Sequence, residues 1–545
     1  MRLKTWISGL LLLISIHFST IYGQSDNFEL IKGMELMSQI HQHLEMYFVD
    51  EPKPGKMSKD AIDAMLRELD PYTVYYHESN MEDYRLMTTG QYGGIGSLIR
   101  RIGDYTCITE PYENSPAQKA GLMAGDRIIA VDGKSMKGLS TDEVSKSLKG
   151  PKGTDIEIEV KRGDQKVKIK VTRDQIKLPD VPYSGMLNQE TGYIKLNSFT
   201  QTAGSDVKSA LLQLKDQGAK SLVLDLRGNG GGLLIEAVKI VNLFVKKGQL
   251  VVNTKGRVKD ENRVYKTMDN PVDLEMPLVV LVDEGSASAS EIVSGCLQDL
   301  DRAVIIGETS YGKGLVQRTY NLKYGSKLKL TIAKYYTPSG RCVQKLEYYD
   351  KGVDGRVKEI PDSLIKVFKT ANGRDVIDGR GIEPDIKIEE ENLSRLSSML
   401  LIHNLVFNFA TDYREKHPSI ANAKTFHLSN EDYESFKQTA IKDTFNYSTA
   451  SEEMLKRMKE TAEKEGYFAD IQSEYSSLLN KVTPSKERDL DKFRDEILEM
   501  LENEIVSRYY YQKGRAEYSF RQDPYVQESI KIFKDLSAYN KILSK

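Results

Sequence analysis

At 545 residues with 39% hydrophobic content, the chain has room for several domains, each with a buried core. A formal net charge of -2 offers no basic excess for a nucleic-acid partner. Cys107, Cys296 and Cys342 are odd in number and far apart, which argues against a disulfide framework and against a clustered metal site.

In chain order, Arg2 and Lys4 precede an apolar run over Ile7–Ile16 and then Ser19–Gly23, the layout of a secretory signal peptide over 1–23. The run is short for a membrane-spanning helix. An exported protein, periplasmic or extracellular, is therefore expected, with an uncleaved N-terminal anchor as the alternative. Over 24–90 the apolar residues Ile31, Met34, Met37, Ile40, Leu44 and Tyr47 recur every three or four positions, which predicts helices forming a small module or dimerisation arm. Helix is expected to stop before Asp70-Pro71, because proline disfavours helix in the residue ahead of it.

Between 91 and 175 the texture changes to short strands and glycine turns. The stretch Asn114–Gly133 resembles the PDZ signature, and Tyr92-Gly-Gly-Ile-Gly96 fits its carboxylate-binding loop, formed by Gly93, Gly94, Ile95 and Gly96. Glycines let successive N–H groups face a peptide carboxylate, and an exposed strand edge can accept an extended peptide. Thr141–Leu148 is the helix expected to wall that groove.

Over 176–390 strands and helices alternate: a strand at Thr191–Phe199, a helix near Thr202–Gln217, a strand at Ser221–Leu226, a glycine turn at Gly228–Gly232, and a helix over Leu233–Val245. Pro277–Asp283 is a further apolar strand that turns through Asp283-Glu-Gly-Ser-Ala-Ser-Ala-Ser-Glu291 into an apolar helix. Such alternation predicts an α/β layer fold. The segment 391–545 reads as a charged helical domain, with a capping box at Thr449–Glu452 and a buried stripe at Leu490, Phe493, Ile497, Leu501 and Ile505.

Chemistry concentrates on the serine-rich turn. Ser288 followed by Glu291 is also a capping box, so a purely structural serine is the first alternative. The glycine turn lacks the Lys-Ser/Thr of a phosphate loop and the spacing of a dinucleotide fingerprint, which disfavours nucleotides. A nucleophilic serine needs a base, usually histidine, and no histidine occurs from 78 to 402. Lysine is the known substitute when burial and neighbours favour its neutral form. Lys313 lies between Gly312 and Gly314, and in an extended chain Gln317 would share its face. These residues do not by themselves say which of Ser286, Ser288 and Ser290 would react.

Taken together, Ser286–Glu291, Gly307–Gly314 with Gln317, Asp225–Gly232 and the upstream PDZ module resemble the carboxy-terminal processing (tail-specific) proteases of peptidase family S41. The resemblance spans roughly 60–390. It implies a multidomain α/β fold, with a crotonase/ClpP-like protease core, an inserted-type PDZ domain, and helical N- and C-terminal segments. It assigns Ser288 as nucleophile, Lys313 as base and Gln317 as orienting residue. Backbone N–H groups of Ala289 and of the Gly231/Gly232 turn would form the oxyanion hole, while Asp225 and Arg227 would fix that turn. No metal or organic cofactor is implied. Partners would be protein or peptide substrates with free, apolar C-termini; a homo-oligomer is allowed, with no nucleic acid and peripheral or no membrane association. The insertion over 345–377 and the long helical tail exceed the simplest family pattern. The competing readings are a non-catalytic PDZ scaffold on a degenerate protease fold and an acyl-CoA enzyme on a related fold.

Overall fold

The computed structural model describes residues 27–349, 351, 356–389 and 393–544, so the expected signal peptide lies outside the described residues. The chain divides into two compact units. The smaller comprises the N-terminal residues up to Glu78 with Thr319–Leu330. It contains a helix over 27–47 and a second over Pro54–Arg67 that begins on a proline. The Asp70 carboxylate accepts from the N–H groups of Tyr72 and Thr73, both at 2.8 Å, which fixes the turn after the helix. Val74–Tyr76 then pairs antiparallel with Lys327–Lys329. The stripe Ile31, Met34, Met37 and Ile40 is helical as its spacing predicts, but it is exposed rather than packed.

The larger unit opens with Met81–Thr89 and the PDZ strands. Gln91–Gly94 pairs antiparallel with Asp174–Lys177, joining the two ends of the domain. Strand β1 (Ser97–Ile102) lies at the edge of the main PDZ sheet, where among the described residues its strand partner is Tyr105–Pro111 alone. Helix α1 (Thr141–Leu148) is held by a full capping box: Glu143 accepts from the Ser140 N–H at 2.8 Å and Ser140 Oγ accepts from the Glu143 N–H. Ile108, Ile128, Val144, Ile156 and Ile158 fill the space between sheet and helix.

The protease core is a six-stranded sheet. Its strands are β2 (Tyr183–Met186), β3 (Thr191–Lys195), β4 (Ser221–Asp225), β5 (Leu278–Val282), β6 (Val304–Gly307) and β9 (Ile386–Lys387), lying in that order. Every pairing is parallel except that of the edge strand β2. Helices α2 (Ala203–Asp216), α3 (Leu234–Asn242) and α4 (Ala289–Asp299) follow β3, β4 and β5. Each strand sends alternate residues to opposite faces. Leu222, Leu224, Leu278, Val280 and Ile305 pack with α2, α3 and α4. Val223, Val279, Leu281, Val304 and Ile306 pack instead with Tyr525, Val526, Ile532 and Tyr539 from the end of the chain. Burial on both faces is why β4 and β5 read as unbroken apolar runs.

Two further strands, β7 (Leu315–Asn321) and β8 (Lys327–Tyr336), pair with each other, and residues 333–336 of β8 also pair antiparallel with the hairpin strand Leu250–Gly256. That hairpin is completed by Arg263–Lys266. The insertion forms two small hairpins, Leu346–Glu347 with Lys358–Glu359 and Val367–Lys369 with Asp375–Ile377.

In the helical domain, Arg395–Ile402, Leu405–Lys416, Asn430–Lys442, Lys486–Lys492 and α5 (Arg494–Ser519) pack around Leu400, Phe436, Ile497, Leu501 and Ile505, while Ala450–Glu465 and Phe468–Val482 pair with each other. Thr449 caps its helix by accepting from the Glu452 N–H at 3.2 Å. Leu490 and Phe493 precede α5, at a helix junction, so the expected stripe runs across two helices. The chain then returns to the protease sheet as α6 (Pro524–Lys534) and α7 (Leu536–Ile542).

Leu224, fully buried between the sheet and its helices, tests this core. Leu224→Ala should cost about 3 kcal/mol through lost contacts and a residual void. The measurement is the midpoint of the protease-domain transition in a urea titration, and an unchanged midpoint would contradict the packing.

Candidate active site

Strand β5 ends in a tight turn at Asp283, whose Oδ1 accepts from Gly285 N–H at 3.0 Å and lies 3.1 Å from Ser286 Oγ. The three serines of the turn then separate by role. Ser286 is buried and donates its hydroxyl to Leu226 O at 2.9 Å. Ser290 is buried and donates to Asn229 O at 2.8 Å. Ser288 alone of the three is partly exposed, and it sits at φ 57°, ψ -110°. An L-residue held there stores about 1–3 kcal/mol of backbone strain, which the surroundings must enforce. A strained strand-to-helix turn is a setting in which a serine hydroxyl can be kept accessible.

What enforces it is Glu291, the third residue of α4. Its side chain is fully buried and accepts four hydrogen bonds. Oε2 receives the Ser288 N–H at 2.8 Å and the Lys313 N–H at 2.9 Å. Oε1 receives the Ser310 hydroxyl at 2.6 Å and the Gly312 N–H at 2.7 Å. Burial pushes the carboxyl above its ordinary value, and the four donors pull it back. The residue that sequence pattern marks as half of a capping box thus ties the Ser288 turn to the Lys313 loop.

The Lys313 loop is gripped from its other side by the start of the insertion. Gln344 Oε1 accepts from Gly314 N–H at 2.8 Å, and the Lys345 N–H donates to Gly312 O at 2.9 Å. Neither glycine could carry a side chain. A Cβ on Gly312 would lie 2.5 Å from Lys345 Cβ, and one on Gly314 would lie 2.8 Å from Gln344 N. Lys313, partly buried, leads into β7, where Gln317 donates through Nε2 to Thr331 Oγ1 at 3.2 Å.

The glycine turn after β4 meets the serine turn directly. A Cβ on Gly231, at φ +98°, would lie 2.8 Å from Ser288 Cβ and 2.9 Å from Ala289 N. Ala289 opens α4, so its N–H has no intrahelical partner. Gly232 bridges to Phe199. The Gly231 N–H, expected to be available, donates to Asn229 Oδ1 at 2.9 Å, and Asn229 in turn donates through Nδ2 to Leu196 O at 2.8 Å. Below the turn, Asp225 accepts from Tyr193 Oη at 2.6 Å and from Lys195 Nζ at 3.1 Å. Burial opposes its ionisation, yet Arg227 and Lys195 hold its carboxyl far below the usual carboxylate range.

Sequence pattern missed Asn229, Tyr335 and Gln344. Tyr335, almost wholly buried, donates to the Ser288 carbonyl at 3.2 Å. No sequence signal marks them: Asn229 lies among glycines, Tyr335 beside Lys334, and Gln344 beside Lys345.

In the PDZ domain, Gly93 and Gly94 belong to the strand paired with Asp174–Lys177, and a Cβ on Gly93 would lie 2.2 Å from Gly150 O. Ile95 is buried in the domain core, its carbonyl accepting from Ala117 N–H at 2.8 Å. Gly96, at φ +74°, turns the chain into the edge strand β1. Only the Ile95–Gly96 half of the expected loop therefore adjoins that strand directly.

Comparison with known proteins agrees with this architecture. Residues 190–358 match the model of peptidase family S41, residues 107–162 a PDZ domain, and residues 396–533 a model described as "Probable PDZ-protease, C-terminal helical domain". A carboxy-terminal-processing protease of Bartonella bacilliformis is 37% identical over 319 residues, covering 57% of this chain and 73% of that protein. A "Probable CtpA-like serine protease" of Staphylococcus aureus is 36% identical over 313 residues, covering 57% of this chain and 62% of that relative's length. Among solved structures, the photosystem II D1 C-terminal processing protease is 28% identical with a TM-score of 0.36, covering 65% of this chain and 87% of that one. The PDZ domain of a Vibrio cholerae carboxy-terminal protease, solved with a peptide, is 30% identical with a TM-score of 0.15, covering 16% of this chain and 99% of that one. The chain belongs to peptidase family S41.

Glu291→Gln keeps the shape but leaves one acceptor oxygen facing donors that a carboxylate satisfied from both. It should cost about 2–3 kcal/mol through buried donors left without a partner. Urea unfolding of the full chain checks this, and an unaltered midpoint would show that the hub is dispensable.

Proposed function

We propose that the chain is an exported serine endopeptidase with a Ser-Lys dyad that cleaves proteins presented by their free C-termini. One observation carries this reading: a single buried carboxylate accepts from the N–H of Ser288 and from the N–H of Lys313, 2.8 and 2.9 Å away. On this reading the chain comprises a signal peptide (1–23), an N-terminal helical segment (24–90), a PDZ domain (91–175), the protease core (176–390) and a helical domain (391–545).

In the reaction, Ser288 Oγ attacks the peptide carbonyl carbon while the neutral Lys313 amine takes its proton. The C–N bond breaks as the ammonium returns that proton to the leaving amine, giving an acyl-enzyme. Water, deprotonated by Lys313, then attacks the ester; the acyl–Oγ bond breaks, the ammonium returns the proton to Ser288 Oγ, and the new C-terminus leaves. Gln317 orients the lysine. The Ala289 N–H and an N–H of the Gly231–Gly232 turn bind the developing oxyanion. With the Gly231 N–H donated to Asn229, Gly232 is the donor of that turn in this conformation. The N-terminus of α4 adds its positive dipole end.

The PDZ domain captures the substrate's end. Strand β1 has a free edge within its sheet, and α1 packs across from it, which suits an extended peptide added as a further strand. The captured C-terminal residue is expected to be apolar, since Ile95, Val144 and Leu148 pack behind the groove as part of the domain core.

Protein lacking residues 1–23 should cleave an unfolded protein such as casein, and a peptide with a free apolar C-terminus. Ser288→Ala and Lys313→Ala should each lower kcat by about 10³-fold or more. Full activity in Ser288→Ala would remove the nucleophile assignment, and no cleavage by the unaltered protein would favour a scaffold. Equal cleavage of the C-terminally amidated peptide would remove the PDZ capture step.

A further inference from the structure

Arg227 follows β4 and opens the glycine turn, and its guanidinium holds two carboxylates. Toward the sheet, Nη2 reaches Asp225 Oδ2 at 2.6 Å and Nε lies 3.1 Å from both Asp225 oxygens. Toward the helical domain, Nη2 donates to Asp523 Oδ2 at 2.8 Å and Nη1 to Asp523 Oδ1 at 3.2 Å. The ring of Tyr525 stacks under the same guanidinium, 4.6 Å from its carbon. Asp225 has other partners besides, namely Tyr193, Lys195 and the Arg227 N–H. Asp523 therefore supplies the second anion for a site that otherwise sets two cations against one buried carboxylate.

The consequence passes directly into the site. Lys195 Nζ donates to Arg227 O at 2.7 Å, and the next N–H, that of Gly228, goes to both Asp283 oxygens at 2.8 and 2.9 Å. The turn is thus held at one end by the Arg227 cluster and at the other by the serine turn, with Gly231 against Ser288. Arg227 and Asp523 border a cavity of about 710 Å³ between β1, the edge of the protease sheet and the helical domain. Open space on that side means that packing does not replace the ion pair in fixing the turn.

We propose that Asp523 is a positioning residue for catalysis: through Arg227, the C-terminal helical domain sets the placement of the Gly228–Gly232 turn beside Ser288. This rests on the Ser-Lys peptidase reading for its kinetic consequence and on the geometry alone for its structural one.

Asp523→Asn separates the two roles of the side chain. Asp523 also caps α6, its Oδ1 accepting from Tyr525 N–H at 3.0 Å and Val526 N–H at 3.1 Å, and asparagine caps as well. In the full chain, amide exchange read by mass spectrometry over 228–232 should quicken about tenfold while α6 and α7 keep their protection. On the free-C-terminus peptide, kcat should fall about tenfold with KM within about twofold, the pattern of a misplaced group rather than lost binding. Asp523→Glu, which keeps the carboxylate, should restore most of kcat. Unchanged exchange over 228–232 overturns the proposal whatever the activity, and so does faster exchange spread through α6 and α7, which would mark Asp523 as a general prop. An inactive unaltered protein would count against the peptidase reading, and the exchange result would still decide this one.

Discussion

The arrangement depends on one buried carboxylate. A carboxylate removed from water is costly unless its lone pairs are filled, and the cost of leaving it half-filled is far larger than the net gain from any one bond. Glu291 fills its oxygens with the N–H of Ser288, the N–H groups of Gly312 and Lys313, and the hydroxyl of Ser310. Those donors come from two segments separated by a helix and a strand. Opening either segment away from α4 would strand a charge in the core. The two segments are therefore held as one body, and the strained φ of Ser288 is offset by bonds that exist only when both are in place.

The surrounding sheet imposes a second constraint. A parallel sheet with apolar residues on both faces must be covered twice. The helices that follow its strands cover one face, and the second is covered by α6 and α7 from the far end of the chain. Tyr539 makes the dependence specific, since its hydroxyl accepts from Leu278 N–H at 3.0 Å and donates to Leu278 O at 3.1 Å. A tail whose composition suggests a solvated accessory thus covers a face of the protease sheet. It brings Asp523 to Arg227 on the way.

How much of this was legible follows from the range of each interaction. The α/β class, the PDZ strands and the serine turn lie in contiguous stretches whose periodicity and glycines carry their own signal. Glu291 was visible only as a cap, because its local bond to Ser288 has a sequence signature whereas its bonds to Gly312 and Lys313 do not. Tyr335 and Gln344 are brought to the site by strand pairing and an insertion, and neither follows a periodic pattern. The exposed stripe of the helix over 27–47 shows the reverse limit: spacing fixes the face of a helix, while what lies against that face is a tertiary matter. The charged look of the last 150 or so residues is compatible with helices there but hides the docking of α6 and α7, because their apolar positions make sense only opposite Val279 and Leu281.

Steric exclusion then completes what the carboxylate begins. Gly231 fits against Ser288, and Gly312 and Gly314 fit against Lys345 and Gln344, because none carries a Cβ. A side chain at any of them would push apart two backbones that Glu291 and Gln344 hold together by hydrogen bonds of 2.7–2.9 Å. Attraction at the carboxylate and the absence of bulk at the glycines act on the same few atoms. A small displacement there is resisted on both counts, so the turns shift as a unit or not at all. That makes the elements gripping their outer ends, Arg227 with Asp523 on one side and the 345–377 insertion on the other, the places where the rest of the molecule can act on Ser288 and Lys313.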